Sequence, residues 1–119
     1  MKPDAQRIAI AEACGWRRAK APRYLALGDY FGWMNPRGDF CDAEELPNYL
    51  NDLNAIHGAV MQYFNPKSPG DGFRYIDELA DITGCRYPNI SMAFVHATAA
   101  QRAEAFLRTI GKWQEETKQ

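Results

Sequence analysis

Long apolar runs are missing from this chain of 119 residues: no stretch approaches the ~18 apolar residues that a membrane span requires. The N-terminal Met1-Lys2-Pro3-Asp4-Ala5-Gln6-Arg7 puts charge and proline where a signal peptide would carry its apolar segment, so a cytoplasmic protein without membrane contact is expected. Cysteine is scarce. Cys14, Cys41 and Cys85 are odd in number and form no Cys-x-x-Cys pair, which excludes a complete internal disulfide framework and fits a reducing compartment. Charge of one sign is lacking as well. With 14 basic and 15 acidic residues the net charge is -1, too little to attract a phosphate backbone, and nucleic acid is disfavoured as the main partner.

Motifs of chemistry are equally sparse. No G-x-x-x-x-G-K-[ST] or G-x-G-x-x-G follows a strand and opens a helix, so nucleotide hydrolysis has no basis. Metal ligands with close spacing are absent: Cys14, Cys41, Cys85, His57 and His96 are scattered, and free cysteines behave as small hydrophobes. Asp29, Asp39, Asp42, Glu44 and Glu45 lack the oxygen-ligand rhythm of a calcium loop and read as a solvated turn. His57 is a conceivable general base, but no serine or cysteine sits at a nucleophile turn, and a hydrogen-bonding structural histidine accounts for it. The expectation is a protein that is not an enzyme and carries neither metal nor cofactor.

What is present is one ordinary globular domain over residues 1–119, with 46% hydrophobic and 24% charged residues. Pro3 and Asp4 suit a helix start, and Gly15 suits its left-handed end, which predicts a helix over 4–14. From Arg17 to Phe40, prolines and glycines exclude a helix while aromatics collect, and Asn35-Pro36-Arg37-Gly38 has the composition of a type I turn. A hairpin of residues 30–34 and 39–41 follows. Residues 46–64 read as a second helix capped by Asn48 or Asn51, with Leu53, Ile56, Val60 and Tyr63 inward; Gly58 marks either a close approach or a tolerated weak choice. Asp71 caps a third helix over 73–82 with Phe73, Ile76, Leu79 and Ala80 inward, closed by Gly84. The apolar run Ser91–Val95 reads as a strand.

The last helix is the clearest. Thr98 and Gln101 form a capping box, and Ala103, Phe106, Leu107, Ile110 and Trp113 make one apolar stripe. The order α-β-β-α-α-β-α predicts an α+β domain in which a small, mostly antiparallel sheet is layered between helices as a helix/sheet/helix sandwich.

Binding chemistry centres on the aromatic and basic residues before the second helix. Arg17, Arg18, Lys20 and Arg23 lie between Trp16 and Tyr24, either as a site for a nucleotide or acidic protein or as a solvated strand face. Tyr24, Tyr30, Phe31, Trp33 and Phe40 serve either as exposed anchors of a binding surface or as core of a small sheet. Trp16, Arg17, Arg18, Arg23, Tyr30 and Trp33 are therefore the candidate binding residues. A sheet edge or apolar helix face also leaves room for a homo-oligomer.

Three segments, Ile8–Trp16, Leu46–His57 and Ala97–Trp113, together resemble the phage ABA sandwich domain family, found in small proteins of tailed phages and prophages. The resemblance implies helix, sheet and helix layers and an origin in a phage or prophage, and it brings no catalytic residues. The function it leads to is that of a non-enzymatic accessory protein in the bacterial host cytoplasm, binding a host or phage protein and inhibiting a component of bacterial defence. The alternative is a domain that binds a small anionic molecule or nucleotide among Trp16, Arg17, Arg18, Arg23 and Trp33.

Overall fold

Pro3 at the first helical position and Asp4 in the first turn start α1, Pro3–Ala13, as proline has no N–H to lose there and the acid meets the positive end of the helix. Gly15, at φ 98°, ends it in the conformation only glycine adopts freely. In this computed structural model the described residues are 1–21, 31–64, 69–85 and 95–115. Three strands follow α1: β1, Arg17–Lys20; β2, Phe31–Met34; and β3, Phe40–Cys41. They form an antiparallel sheet in the order β1-β2-β3.

The hairpin between β2 and β3 turns where the sequence places it. Gly38 N–H donates to the Asn35 carbonyl at 2.9 Å, and the Asn35 side-chain oxygen accepts from the backbone of Arg37 and Asp39. Trp33 lies opposite Arg18 and Cys41, so these three share one face of the sheet; Met34 lies opposite Arg17 and Phe40 on the other. Gly32 belongs to that second face. A Cβ built on it would stand 2.5 Å from the Cys41 carbonyl oxygen and 2.7 Å from the Phe40 ring, so β2 and β3 approach too closely there for any side chain.

The second helix is shorter than its periodicity predicts. α2 spans Leu53–Phe64, and residues 46–52 form turns that bury Leu46 and Tyr49. Pro47 interrupts the backbone ladder, Asn48 accepts from the N–H groups of Asn51 and Asp52, and the Asp52 carboxylate accepts from Asn54 N–H at 2.9 Å. Asp52, not Asn48 or Asn51, is thus the cap. Arg7 of α1 ties these turns down through the carbonyls of Glu44, Leu46 and Pro47.

α3, Pro69–Thr83, begins four residues before the predicted start, so Asp71 falls inside the helix rather than at its N-terminal boundary. Its end is as expected, with Gly84 at φ 75°. Phe73, read as inward, is 69% exposed; Tyr75 and Leu79 carry the buried stripe instead. Phe73 stands about 200° from Tyr75 around the helix axis, so both rings cannot face one core.

α4, Ala99–Thr109, has its capping box in full: Gln101 N–H donates to Thr98 Oγ1 at 3.1 Å, and Thr98 N–H to Gln101 Oε1 at 2.9 Å. Ala103, Phe106 and Leu107 are fully buried, as the stripe requires, and Ala99, Ala105 and Thr109 are buried too. A buried face this wide takes more than one neighbour, and α4 meets α1, α2 and, most extensively, α3. Phe106 packs against Tyr63 and Phe64, with ring centroids 5.4 and 5.3 Å away, and Phe64 against Tyr75 at 5.6 Å. Beyond Gly111, at φ 77°, the chain folds back. Arg108 pairs with Glu104 and Glu115 at 2.9 Å each and lies over the Trp113 ring, whose Nε1 donates to Glu115.

The class is α+β, with four helices and a three-stranded antiparallel sheet among the described residues. Among the described residues the observed order differs from the predicted one in one place, before the hairpin. β1 is a strand of its own, and the run read as a final strand lies outside the described residues at 91–94, while Val95 is helical and 70% exposed.

Candidate binding groove

Among the described residues singled out before α2, Arg17 lies on the opposite face of the sheet from Arg18 and Trp33. Trp33 is 2% exposed and belongs to the core, which is the role a small sheet demands of a large ring. Arg18 covers it, with the guanidinium carbon 5.6 Å from the ring centroid. Arg17 is exposed on the opposite face of β1, and Trp16 is half-buried against the core. Arg23, Tyr24 and Tyr30 lie outside the described residues. Arg18 and Trp33 do border a cleft of about 310 Å³, but Asp4 and Glu44 stand in the same lining, so it offers an anion no net positive field.

A larger concavity lies elsewhere, of about 760 Å³, between α2 and α3 with α4 beneath. Leu53, His57 and Met61 of α2 recur every four residues and form one edge; Phe73 and Ile76 of α3 form the other. Phe64 and Tyr75, both buried, make the floor. The edges are unusually open for their chemistry: Leu53 is 53% exposed, Met61 46% and Phe73 69%. Grouped in one concavity, these side chains form a contiguous apolar patch, unlike hydrophobes exposed singly.

The polar lining consists of Asn54, His57 and Arg102, with no carboxylate among the described residues. Arg102 enters from α4. Its Nε donates to the Ala97 carbonyl at 3.3 Å, and its side chain is hydrogen-bonded to Tyr75. Burial pushes the Tyr75 phenol above its ordinary range and Arg102 pulls it partly back, so the tyrosine stays neutral and serves as an acceptor.

Cys14 and Cys41 are not activated. Burial pushes Cys14 up to about 11. Cys41 is raised by desolvation, then by its hydrogen bond to Glu45 and the charges of Glu45 and Asp39. Both shifts oppose the thiolate that a nucleophile or metal ligand needs. Among the described residues no three His, Cys, Asp or Glu side chains are grouped as metal ligands. No helix among them is long and apolar enough to cross a membrane.

Sequence periodicity missed this groove, although the signal was there. Ile56, Ala59 and Tyr63 face the core of α2, while Leu53, Val60, Met61 and Phe64 extend the apolar arc well past one buried stripe. A helix with more apolar surface than one neighbour covers needs a second neighbour. Compared with protein-family models, with curated proteins and with solved structures, the chain matches none.

Proposed function

We propose that this is a non-enzymatic binding protein that engages another protein through the groove between α2 and α3. The observation that carries the reading is the exposure of Leu53, Met61 and Phe73 along the two edges of one concavity. Burying three such side chains at a protein interface is worth several kcal/mol, at about 1.5–3 kcal/mol each for complete burial, and large apolar anchors dominate such interfaces. The resemblance to the phage ABA sandwich domain supports the setting: a phage or prophage accessory protein in the host cytoplasm, whose partner is a host or phage protein such as a component of bacterial defence. The absence of an activated nucleophile among Cys14 and Cys41 is in keeping with binding rather than catalysis.

The test begins with affinity purification of the tagged chain from its host and continues with the retained partner purified and mixed with the protein alone. Phe73→Glu should weaken that reconstituted complex by about tenfold or more, while Arg17→Glu on the sheet leaves it unchanged. A complex lost with Arg17→Glu and indifferent to Phe73→Glu would move the interface to the sheet. A second reading, a small apolar ligand in the same groove, is favoured by the 760 Å³ volume, which falls in the ~300–1,000 Å³ range of small-molecule sites.

A further inference from the structure

We infer that the cleft between α1, the sheet and the turns before α2 binds a free α-amino acid with an apolar side chain. It shares no lining residue with the groove between α2 and α3, so the two readings stand or fall separately. Asp4, Arg7 and Ile8 follow one another at i, i+3 and i+4 and present one face of α1 to the cleft. Arg18 and Trp33, cross-strand neighbours on β1 and β2, form the second wall, and Glu44 with Leu46 forms the third. Arg7 braces the first wall against the third. Its Nε donates to the Pro47 carbonyl at 2.9 Å, and its Nη2 to the Glu44 carbonyl at 3.2 Å and to the Leu46 carbonyl. Arg7 and the buried Trp33 thus shape the cleft, while Asp4, Arg18 and Glu44 stand exposed around it.

The lining carries both signs of charge and does not cancel them within itself. Among the described residues, neither the Asp4 nor the Glu44 carboxylate is ion-paired with Arg7 or Arg18. Arg18 lies over Trp33, with its guanidinium carbon 5.6 Å from the ring centroid, and among the described residues its N–H donors make no hydrogen bond or ion pair. A plain anion entering the cleft meets Asp4 and Glu44, and a plain cation meets Arg7 and Arg18. A neutral guest takes water from all four charges and returns no partner. A zwitterion avoids each of these costs, because its carboxylate suits Arg18 while its ammonium suits Asp4 or Glu44. Ile8 and Leu46 supply the apolar surface on which its side chain rests. At about 310 Å³ the cleft stands at the small end of the ~300–1,000 Å³ range of small-molecule sites, which suits one amino acid rather than a dinucleotide or a long peptide.

The experiment is an NMR titration of the isotope-labelled chain with L-leucine, L-isoleucine and L-methionine. At least one of them should give saturable shifts at the backbone amides of Ile8, Arg18 and Glu44. The tightest of the three is then compared with two derivatives of itself on the wild-type chain. The N-acetyl form keeps the carboxylate without the ammonium, and the amide keeps the ammonium without the carboxylate; each should bind about tenfold more weakly or worse. Arg18→Gln should weaken the amino acid about tenfold and remove its advantage over the amide, while Asp4→Asn combined with Glu44→Gln should remove its advantage over the N-acetyl form. All three side chains are exposed, so these variants keep the fold, which unshifted amides in α4 verify. The derivatives need no variant, and they decide the matter even where one fails to fold. The inference is overturned by the lack of a saturable shift at millimolar concentration with any of the three amino acids, or by either derivative binding as well as its parent. Affinity indifferent to Arg18→Gln overturns it too. So does binding lost in Phe73→Glu, which would seat the ligand in the groove.

Discussion

Two regions of this molecule combine aromatic or apolar side chains with arginine, and they do so to opposite ends. At the sheet, Trp33 is buried and Arg18 lies over it, so ring and cation shield the core. At the groove, Phe73, Met61 and Leu53 stand open above a floor into which Arg102 reaches. The lesson is that composition does not distinguish a core from an open apolar groove. What distinguishes them is whether the fold has already supplied the opposing surface: Arg18 and the buried core cluster supply it for Trp33, whereas Phe73 stays 69% exposed.

The largest way to break this comparison is Trp33→Ala. It should cost about 3–5 kcal/mol in urea unfolding, because a fully packed ring leaves a cavity; a loss below 1 kcal/mol would mean that the sheet end is as open as the groove. Gly32→Ala comes next. The new methyl meets the Cys41 carbonyl and the Phe40 ring, neither of which can yield without moving β3, and the expected loss is about 1–3 kcal/mol.

Alkaline titration sharpens the contrast at the α1 side. Cys14, raised to about 11 against an ordinary 9.0, keeps its proton in the folded state after the unfolded chain has begun to release it. The unfolded state therefore binds fewer protons above pH 9, and stability, full below that pH, should fall as pH rises through 11. Cys14→Ala should flatten this slope in unfolding curves collected from pH 8 to 11.

Gly58, on α2, has open space where a Cβ would stand, so Gly58→Ala should raise stability by up to about 1 kcal/mol. The smallest expected change is the most telling. Phe73→Glu should shift the unfolding free energy by no more than about 0.5 kcal/mol, even as it removes partner binding; a large destabilisation would show Phe73 to be core after all.

The parts of the fold governed by local chemistry were legible from residues alone. The Thr98 and Gln101 box, the Asn35–Gly38 turn and the glycines that end α1 and α3 depend on neighbours within four residues. The start of α2 was not, because Asn48, Asn51 and Asp52 are equally competent caps and the long-range clamp of Arg7 on Leu46 and Pro47 decides which turns precede the helix. Phe73 failed for a related reason. Periodicity ranks faces by hydrophobicity, and α3 has two apolar faces, Tyr75 with Leu79 and Phe73 with Ile76; only the position of α4 selects the one that is buried. The binding residues proposed around the hairpin followed from aromatic and arginine content, which the buried Trp33 shares with true docking surfaces.

The position of α4 also bears on how the molecule is made. The helix against which α1, α2 and α3 all pack is translated after them, so when the ribosome reaches residue 98 the three earlier helices still lack Phe106 and Leu107. Until those two side chains leave the exit tunnel, the nascent chain holds its apolar faces without their common partner. Stable structure should then arrive in one late step, and a stall introduced before Ala99 should leave a protease-sensitive chain where a stall well past Trp113 leaves a resistant one.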